Sequence, residues 1–163
     1  MKPYASYKPS GVPWLGDVPS NWEVKKLKHL VESLVGGATP STSDPALWDD
    51  VNGTAWVAIG DMSGRDSVVI TNRKVSFEGI QEKRMQILRA GTVIYSMYAS
   101  VGYASILGID AVTNQAILGF IATNKLNNKF FMSYLNSIRK NVLQEASSNT
   151  QDNINAEKVR RIP

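Results

Sequence analysis

The sequence predicts an α+β fold: a single domain of short, mostly antiparallel strands with a few helices, the main one at about 128–145. Three observations lead there. Short apolar runs rich in Val, Ile, Thr and Tyr are separated by Gly, Pro, Ser and Asn clusters, the pattern of strands and turns. One stretch near the C-terminus keeps a helical period. The chain has 163 residues, 43% of them hydrophobic and 20% charged, enough for one packed core and short for two.

The elements follow in order. Residues 6–22, "SYKPSGVPWLGDVPSNW", carry prolines at 9, 13 and 19, which rule out a helix or a central strand. The expected organisation is therefore an extended N-terminal arm over 1–22, held on the body by its tryptophans and Leu15, and a domain over 23–163. "WEVKKLKHLVESLV" (22–35) reads as strand, turn, strand, with a single helix as the alternative. A loop occupies 36–47, and "TAWVAIGDM" is a buried strand ended by Gly60-Asp61. "SVVITNRKVS" is a further strand, and Ser76 caps a helix through "FEGIQEKRM". "GTVIYSMYASVGYASILG" (91–108) is a strand over Val93, Ile94 and Tyr95, a turn of small residues, and a strand from Tyr103 to Leu107. "QAILGFIAT" (115–123) adds another strand. Phe130, Phe131, Tyr134, Leu135, Ile138, Val142 and Leu143 then share one helical face, with Asn127 or Asn128 as cap and "ASSNTQDN" as terminator. Asn155 caps a last short turn, and the chain stops at Ile162-Pro163 without an obvious terminal element, so continuation is expected.

Composition removes several chemistries. There is no cysteine and a single histidine, His29, so disulfides, thiolate zinc sites, cysteine nucleophiles and multi-histidine metal sites are excluded. His29, among lysines and leucines, reads as structural. No apolar run approaches membrane length, and the start does not lead into a secretory signal, so no membrane association and a cytoplasmic location are expected. The net charge of +4 with a pI near 9.3 mildly favours an anionic partner.

"VGGATPSTSDPALW" (35–48) invites a nucleotide-loop reading. A P-loop needs glycines at a different spacing and then Lys and Ser/Thr, and Pro40 removes a donor where donors are wanted. No G-x-G-x-x-G opens a helix, which argues against a bound dinucleotide. A metal-dependent nuclease would need gathered carboxylates; Asp49-Asp50 and Glu82-Lys83 are the nearest approaches and read as solvated charge.

What remains suits recognition. Asn114-Gln115 and "SSNTQDNIN" (147–155) are amide-rich, and a planar amide pairs with adenine N6 and N7 in the major groove. Arg and Lys at 65, 73, 74, 83, 84, 139 and 140 suit phosphates or guanine edges. Tyr95, Tyr98 and Tyr103 can donate to phosphates or pack on sugars. Each has a structural alternative: amides cap helices and turns, tyrosines fill half-buried strand positions, and surface lysines are solvated.

Taken together these motifs resemble the specificity subunit of Type I restriction-modification systems, and within it the first target recognition domain. The arm "YKPSGVPWLGDVPSNWEVKKL" resembles that family's opening, "GGATPSTSDPALW" its G-x-T-P-S loop and tryptophan, and "AWVAIGDM" the strand after it. "GTVIYSMYASVGYASIL", "TNQAIL" and "NTQDNINAEKVRRIP" match its later segments in order. The family continues from there into a Pro-rich turn and a long helix, so the chain is expected to be truncated before that helical spacer.

The resemblance implies a non-catalytic chain that reads one half of a bipartite target in double-stranded DNA. It would present that DNA to methyltransferase (modification) subunits, joined by a motor-nuclease (restriction) subunit for cleavage. Methyl donor and ATP would be bound by those partners, leaving no cofactor in this chain. The expected base contacts are Ser96, Tyr98, Ser100, Tyr103, Asn114, Gln115, Asn149, Gln151 and Asn153. The expected phosphate contacts are Thr39, Ser41, Thr42, Arg73, Lys74, Lys83 and Arg84, with Gly36, Gly37 and Pro40 shaping the loop. The alternatives are a recognition domain detached from a fused restriction-methylation enzyme, a small metal-dependent nuclease using Asp49, Asp50, Glu82 and Lys83, and an interaction module built on the Trp-rich arm and the 128–145 helix.

Overall fold

The computed structural model describes residues 4–98, 101–123, 126–147 and 155–163. In chain order the elements are β1 (Tyr7–Pro9), β2 (Asp17–Pro19), a 3-10 turn (Leu27–His29), β3 (Val31–Gly36), a second 3-10 turn (Pro45–Leu47), β4 (Thr54–Val57), α1 (Ile59–Met62) and β5 (Ser67–Val68). Then come β6 (Arg73–Val75), α2 (Phe77–Lys83), β7 (Val93–Ser96), β8 (Ala104–Leu107), β9 (Ala111–Thr113), β10 (Ile117–Ala122), α3 (Asn128–Ser137), α4 (Arg139–Ser147) and α5 (Ala156–Arg160). A five-stranded sheet has the order β3-β10-β7-β8-β5, a three-stranded sheet the order β6-β4-β9, and β1 and β2 form a hairpin. Pairing is antiparallel except for β4 with β9 and β5 with β8. This is the α+β architecture that the sequence predicts.

Alternation along the strands builds three layers. Val93 and Tyr95 of β7, with Leu118 and Phe120 of β10, face α3 and α4, where Phe131, Leu135, Ile138 and Val142 complete one core. Ile94 and Ile117 point the other way and meet Val57, Met62, Leu88 and Ala111, so the second core lies between the two sheets. This is the period-2 division of a sheet buried on both faces. Gly119 is required there: a Cβ at this position would lie 2.4 Å from Leu88 Cδ1, and Leu88 is 1% exposed. A third, smaller cluster of Trp48, Val75 and Val112 closes the outer side of the three-stranded sheet.

Several caps are as read from sequence. Ser76 Oγ accepts the Gly79 N–H at 3.1 Å, Asn127 Oδ1 the Phe130 N–H at 3.0 Å, and Asn155 Oδ1 the Lys158 N–H at 2.9 Å. Other elements differ. The proline-rich arm doubles back as the β1–β2 hairpin, its reversal using Gly11 and Gly16 at φ 78 and 67. Trp14 packs on the helical core, whereas Trp22 stays 47% exposed against Tyr4.

The first leg of 22–35 forms no strand. Its Leu27 N–H is taken at 2.8 Å by the Ile162 carbonyl, and a 3-10 turn follows. The strand expected over 54–62 stops at Val57, because buried Asp61 turns the chain: it accepts the Ala58 N–H at 2.9 Å and the Asn72 side chain at 2.8 Å. The strand pattern over 67–76 splits into β5 and β6, which serve different sheets, leaving Val69 and Ile70 exposed. Three-residue β9 has no strand-length signal of its own in the sequence. The long helix breaks once, at Ile138, whose backbone (φ −88, ψ 0) leaves the helical range.

Asn136 docks α3 on the sheet. Its Oδ1 accepts the Ala104 N–H at 2.8 Å and its Nδ2 donates to the Ala104 carbonyl at 3.0 Å, so a side chain pairs with β8 where β5 does not reach. Asn136→Ala strands both groups of a fully buried residue and is expected to cost about 1–3 kcal/mol. Urea denaturation checks this, and an unchanged midpoint would show that apolar packing alone holds the seam.

Candidate nucleic-acid interface

Strand register brings separate loops to one end of the molecule. Gly36, the last residue of β3, pairs with Leu118, and Ile117, the first of β10, pairs with Ser96, the last of β7. In the neighbouring sheet the last residues of β4 and β9, Val57 and Thr113, pair with each other. The loop after β3, the β7–β8 turn and the 114–116 turn therefore emerge side by side. They are stitched by Ala38 N–H to Thr113 O at 2.9 Å, Met97 N–H to Ala116 O at 2.8 Å and Asn114 N–H to Val57 O at 3.0 Å.

The glycine-proline loop is held by tryptophans. Trp56 Nε1 donates to the Ala38 carbonyl and Trp48 Nε1 to the Ser41 carbonyl, both at 2.9 Å. The two rings meet edge to face, with centroids 5.2 Å apart. Buried indole N–H groups need an acceptor, and here the loop backbone supplies it. Between the two clamped carbonyls, the Thr39 hydroxyl donates to Gln115 Oε1. Pro40 is buried and shapes the loop without donating.

Positive charge comes from β6. The Arg73 guanidinium lies 3.9 Å from the centroid of the Trp48 ring and 3.3 Å from Asp50. The Lys74 backbone N–H, 2.8 Å from Asp50 Oδ1, together with the Arg73 charge, holds the Asp50 carboxyl below the usual carboxylate range. Lys74 Nζ donates to the Val51 carbonyl at 2.7 Å. An exposed ion pair of this kind is weak and salt-sensitive, so a phosphate can displace Asp50 from Arg73 at little cost.

The expected contact residues divide. Thr39, Ser41, Thr42, Asn114, Gln115 and Tyr98 lie at this end, and Tyr98 is 39% exposed. Ser41 and Ser43 hydroxyls share a hydrogen bond at 2.9 Å. Asn114 Oδ1 accepts the Ala116 N–H at 3.0 Å, closing a turn. Ser96 is 1% exposed and its hydroxyl ties the hairpin through the Tyr103 backbone, so its place is structural; Tyr103 is half-buried on the inter-sheet core. Lys83 pairs with Glu82 at 3.0 Å at the end of α2, and Arg84 follows as a left-handed cap; among the described residues neither bonds to the loop. Ser100, Asn149, Gln151 and Asn153 lie outside the described residues.

Sequence reading missed the two tryptophan clamps and the partnership of Arg73 with Asp50, which depend on register between distant strands. The carboxylates of the nuclease alternative do not converge. Asp49 accepts the Val51 and Asn52 N–H groups, Asp50 faces Arg73, and Glu82 faces Lys83. Among the described residues no group of three His, Cys, Asp or Glu could hold a metal ion, and no helix is long and apolar enough to cross a membrane.

Comparison with known proteins is consistent along the chain. Residues 19–163 match the family model described as Type I restriction modification DNA specificity domain. The chain is 28% identical over 109 residues to the Type I restriction enzyme MjaIX specificity subunit of Methanocaldococcus jannaschii, covering 66% of this chain and 24% of that protein. It is 29% identical over 114 residues to the HindI specificity subunit of Haemophilus influenzae, covering 69% and 24%. It thus spans about a quarter of the length of these relatives. The fold is similar to that of the HsdS subunit from Thermoanaerobacter tengcongensis, at a TM-score of 0.69 and 16% identity, covering 96% of this chain and 34% of that one. A chain from a structure on complex assembly and conformational transition of the type I R-M system gives a TM-score of 0.70 at 17% identity, covering 90% and 34%.

Proposed function

This chain belongs to the Type I restriction modification DNA specificity domain family, and from that premise we propose that it binds double-stranded DNA sequence-specifically. It reads one half of a bipartite target for a restriction-modification complex, in which methyltransferase subunits and a motor-nuclease subunit act on the DNA. The chain itself is non-catalytic, carries no cofactor and works in the cytoplasm.

The observation that supports this reading is the convergence at one sheet end of the braced 37–43 loop, the Asn114-Gln115 turn and Arg73. Rigid amides and hydroxyls suit base edges, and a cation beside them suits the backbone. Ser41, Thr42, Arg73 and Lys74 then meet phosphates, Thr39 gives its hydroxyl proton to Gln115 in place of a phosphate, and Tyr98, Asn114 and Gln115 face the groove. Lys83 and Arg84 serve a more distant stretch of backbone. In domain terms, residues 1–22 form an arm on a recognition body over 23–163.

The test is methylation-sensitive sequencing of a genome carrying the intact system. A bipartite methylated motif should change in one half when residues 1–163 are exchanged for those of a relative, and an unchanged motif would refute the proposal. Arg73 gives a second measurement. Arg73→Ala should weaken duplex binding by the methyltransferase complex evenly across sequences and lower the salt slope by about 0.9. A change confined to one base position would instead assign Arg73 to base reading.

A further inference from the structure

The recognition end carries a second cation, on its helical side. Helix α3 starts at the far end of the sheet, where Asn128 Nδ2 donates to the Gly91 carbonyl at 2.8 Å. It runs along β8 to Asn136 and ends at Ile138. The next residue, Arg139, therefore lands on the β7–β8 turn, beside the Asn114-Gln115 turn. Arg139 Nε donates to the Val101 carbonyl at 2.8 Å. Gly102 makes room for it: its φ is 80, and a Cβ there would lie 3.0 Å from Arg139 Cγ. One nitrogen thus fixes the side chain, while the two terminal nitrogens keep their N–H donors and the charge. Among the described residues no carboxylate pairs with Arg139, whereas Arg73, Lys83, Arg89 and Arg161 each face one.

Arg73 and Arg139 stand in different layers. Arg73 shares the outer side of the three-stranded sheet with Val75 and Trp48, and Arg139 belongs to the helical layer on the opposite side of the five-stranded sheet. Packed layers stand about 10 Å apart, so about 20 Å separates the two cations, with the 114–116 turn between them. A B-DNA major groove is about 12 Å wide, and the cations therefore reach past both of its edges. Amides suited to bases lie between them, so what fills that interval is the groove floor, and the cations fall on its two phosphate rims.

We propose that Arg139 is a phosphate contact on the strand opposite to the one held by Arg73, so that the domain straddles the major groove with Asn114 and Gln115 aimed at its floor. The proposal rests on the DNA-recognition reading above and divides the backbone contacts between the two strands.

The experiment measures duplex binding by the full specificity subunit in its methyltransferase complex, on the target found by methylation-sensitive sequencing, with phosphates replaced one at a time by neutral methylphosphonates. Arg139→Gln keeps the stem and a donor at the Nε position but removes the charge. It should weaken binding about tenfold on target and non-target sequences alike and lower the salt slope by about 0.9. Arg139→Lys should recover most of that slope. One methylphosphonate should weaken wild-type binding yet cost Arg139→Gln nothing further, and the phosphate that falls silent in Arg73→Ala should lie on the other strand. Denaturation midpoints near wild type establish that these variants fold. An unchanged salt slope in Arg139→Gln, a loss confined to one base position, or two silent phosphates on one strand overturns the proposal and leaves DNA recognition standing. A motif that ignores replacement of residues 1–163 overturns both.

Discussion

Phe120→Ala should lower the stability of the chain by about 3–5 kcal/mol, a large share of the roughly 5–15 kcal/mol that holds a domain of this size folded. Phe120 is 1% exposed in β10, a strand bonded to β3 on one side and β7 on the other. Its ring meets Tyr95 edge-on at 6.0 Å and Phe131 at 5.0 Å. Truncation therefore removes two aromatic contacts and opens a cavity between sheet and helix, where the neighbours are themselves fixed by strand pairing and collapse poorly. Urea denaturation followed by circular dichroism measures the loss. Phe120→Leu fills most of the volume and should lose roughly half as much. A deficit under about 1 kcal/mol for the alanine variant would show that α3 repacks freely on the sheet, contrary to the docking described for Asn136.

What could be read from sequence follows the range of the signals. The hairpin over β7 and β8, the capped starts of α2 and α3, and α5 after Asn155 rest on neighbours within a few residues, and sequence carries such signals directly. Failures occur where distant chain decides. Residues 67–76 look like one strand because Val68, Val69 and Ile70 are alike in type, yet only Val68 meets the core. Asp61 ends β4 early by bonding Asn72, which no local pattern discloses. The candidate site divides in the same way. The types Thr39, Gln115 and Arg73 are visible as suited to DNA, while their meeting depends on register across β3, β10, β9 and β6. Ser96 shows the converse, a polar residue in a turn-rich segment whose burial is set by the strand beside it.

Gly37→Ala isolates that register, and its expected effect is loss of the recognition end with the core left folded. A Cβ on Gly37 would lie 2.1 Å from the Thr113 carbonyl oxygen and 2.2 Å from that of Asn114. Both are backbone atoms, so the loop itself must move. Moving it breaks the Ala38 N–H bond to Thr113, draws the Ala38 carbonyl off Trp56 and carries Thr39 away from Gln115. Indole groups that lose their acceptors become wetter, so the tryptophan emission should shift to the red. Specific duplex binding by the complex should fall at least about tenfold as the amides lose their orientation, while sequence-independent binding through cations persists. Gly36→Ala is the internal control, since nothing lies within 4 Å of a Cβ there and its φ is not positive. It should change stability by less than about 0.5 kcal/mol and leave emission and binding near wild type. Equal behaviour of the two variants would mean that the contact of the loop with 113–114 does not hold the site together. The expected difference between adjacent glycines makes the site a property of loop docking, because the two substitutions add the same methyl group one residue apart.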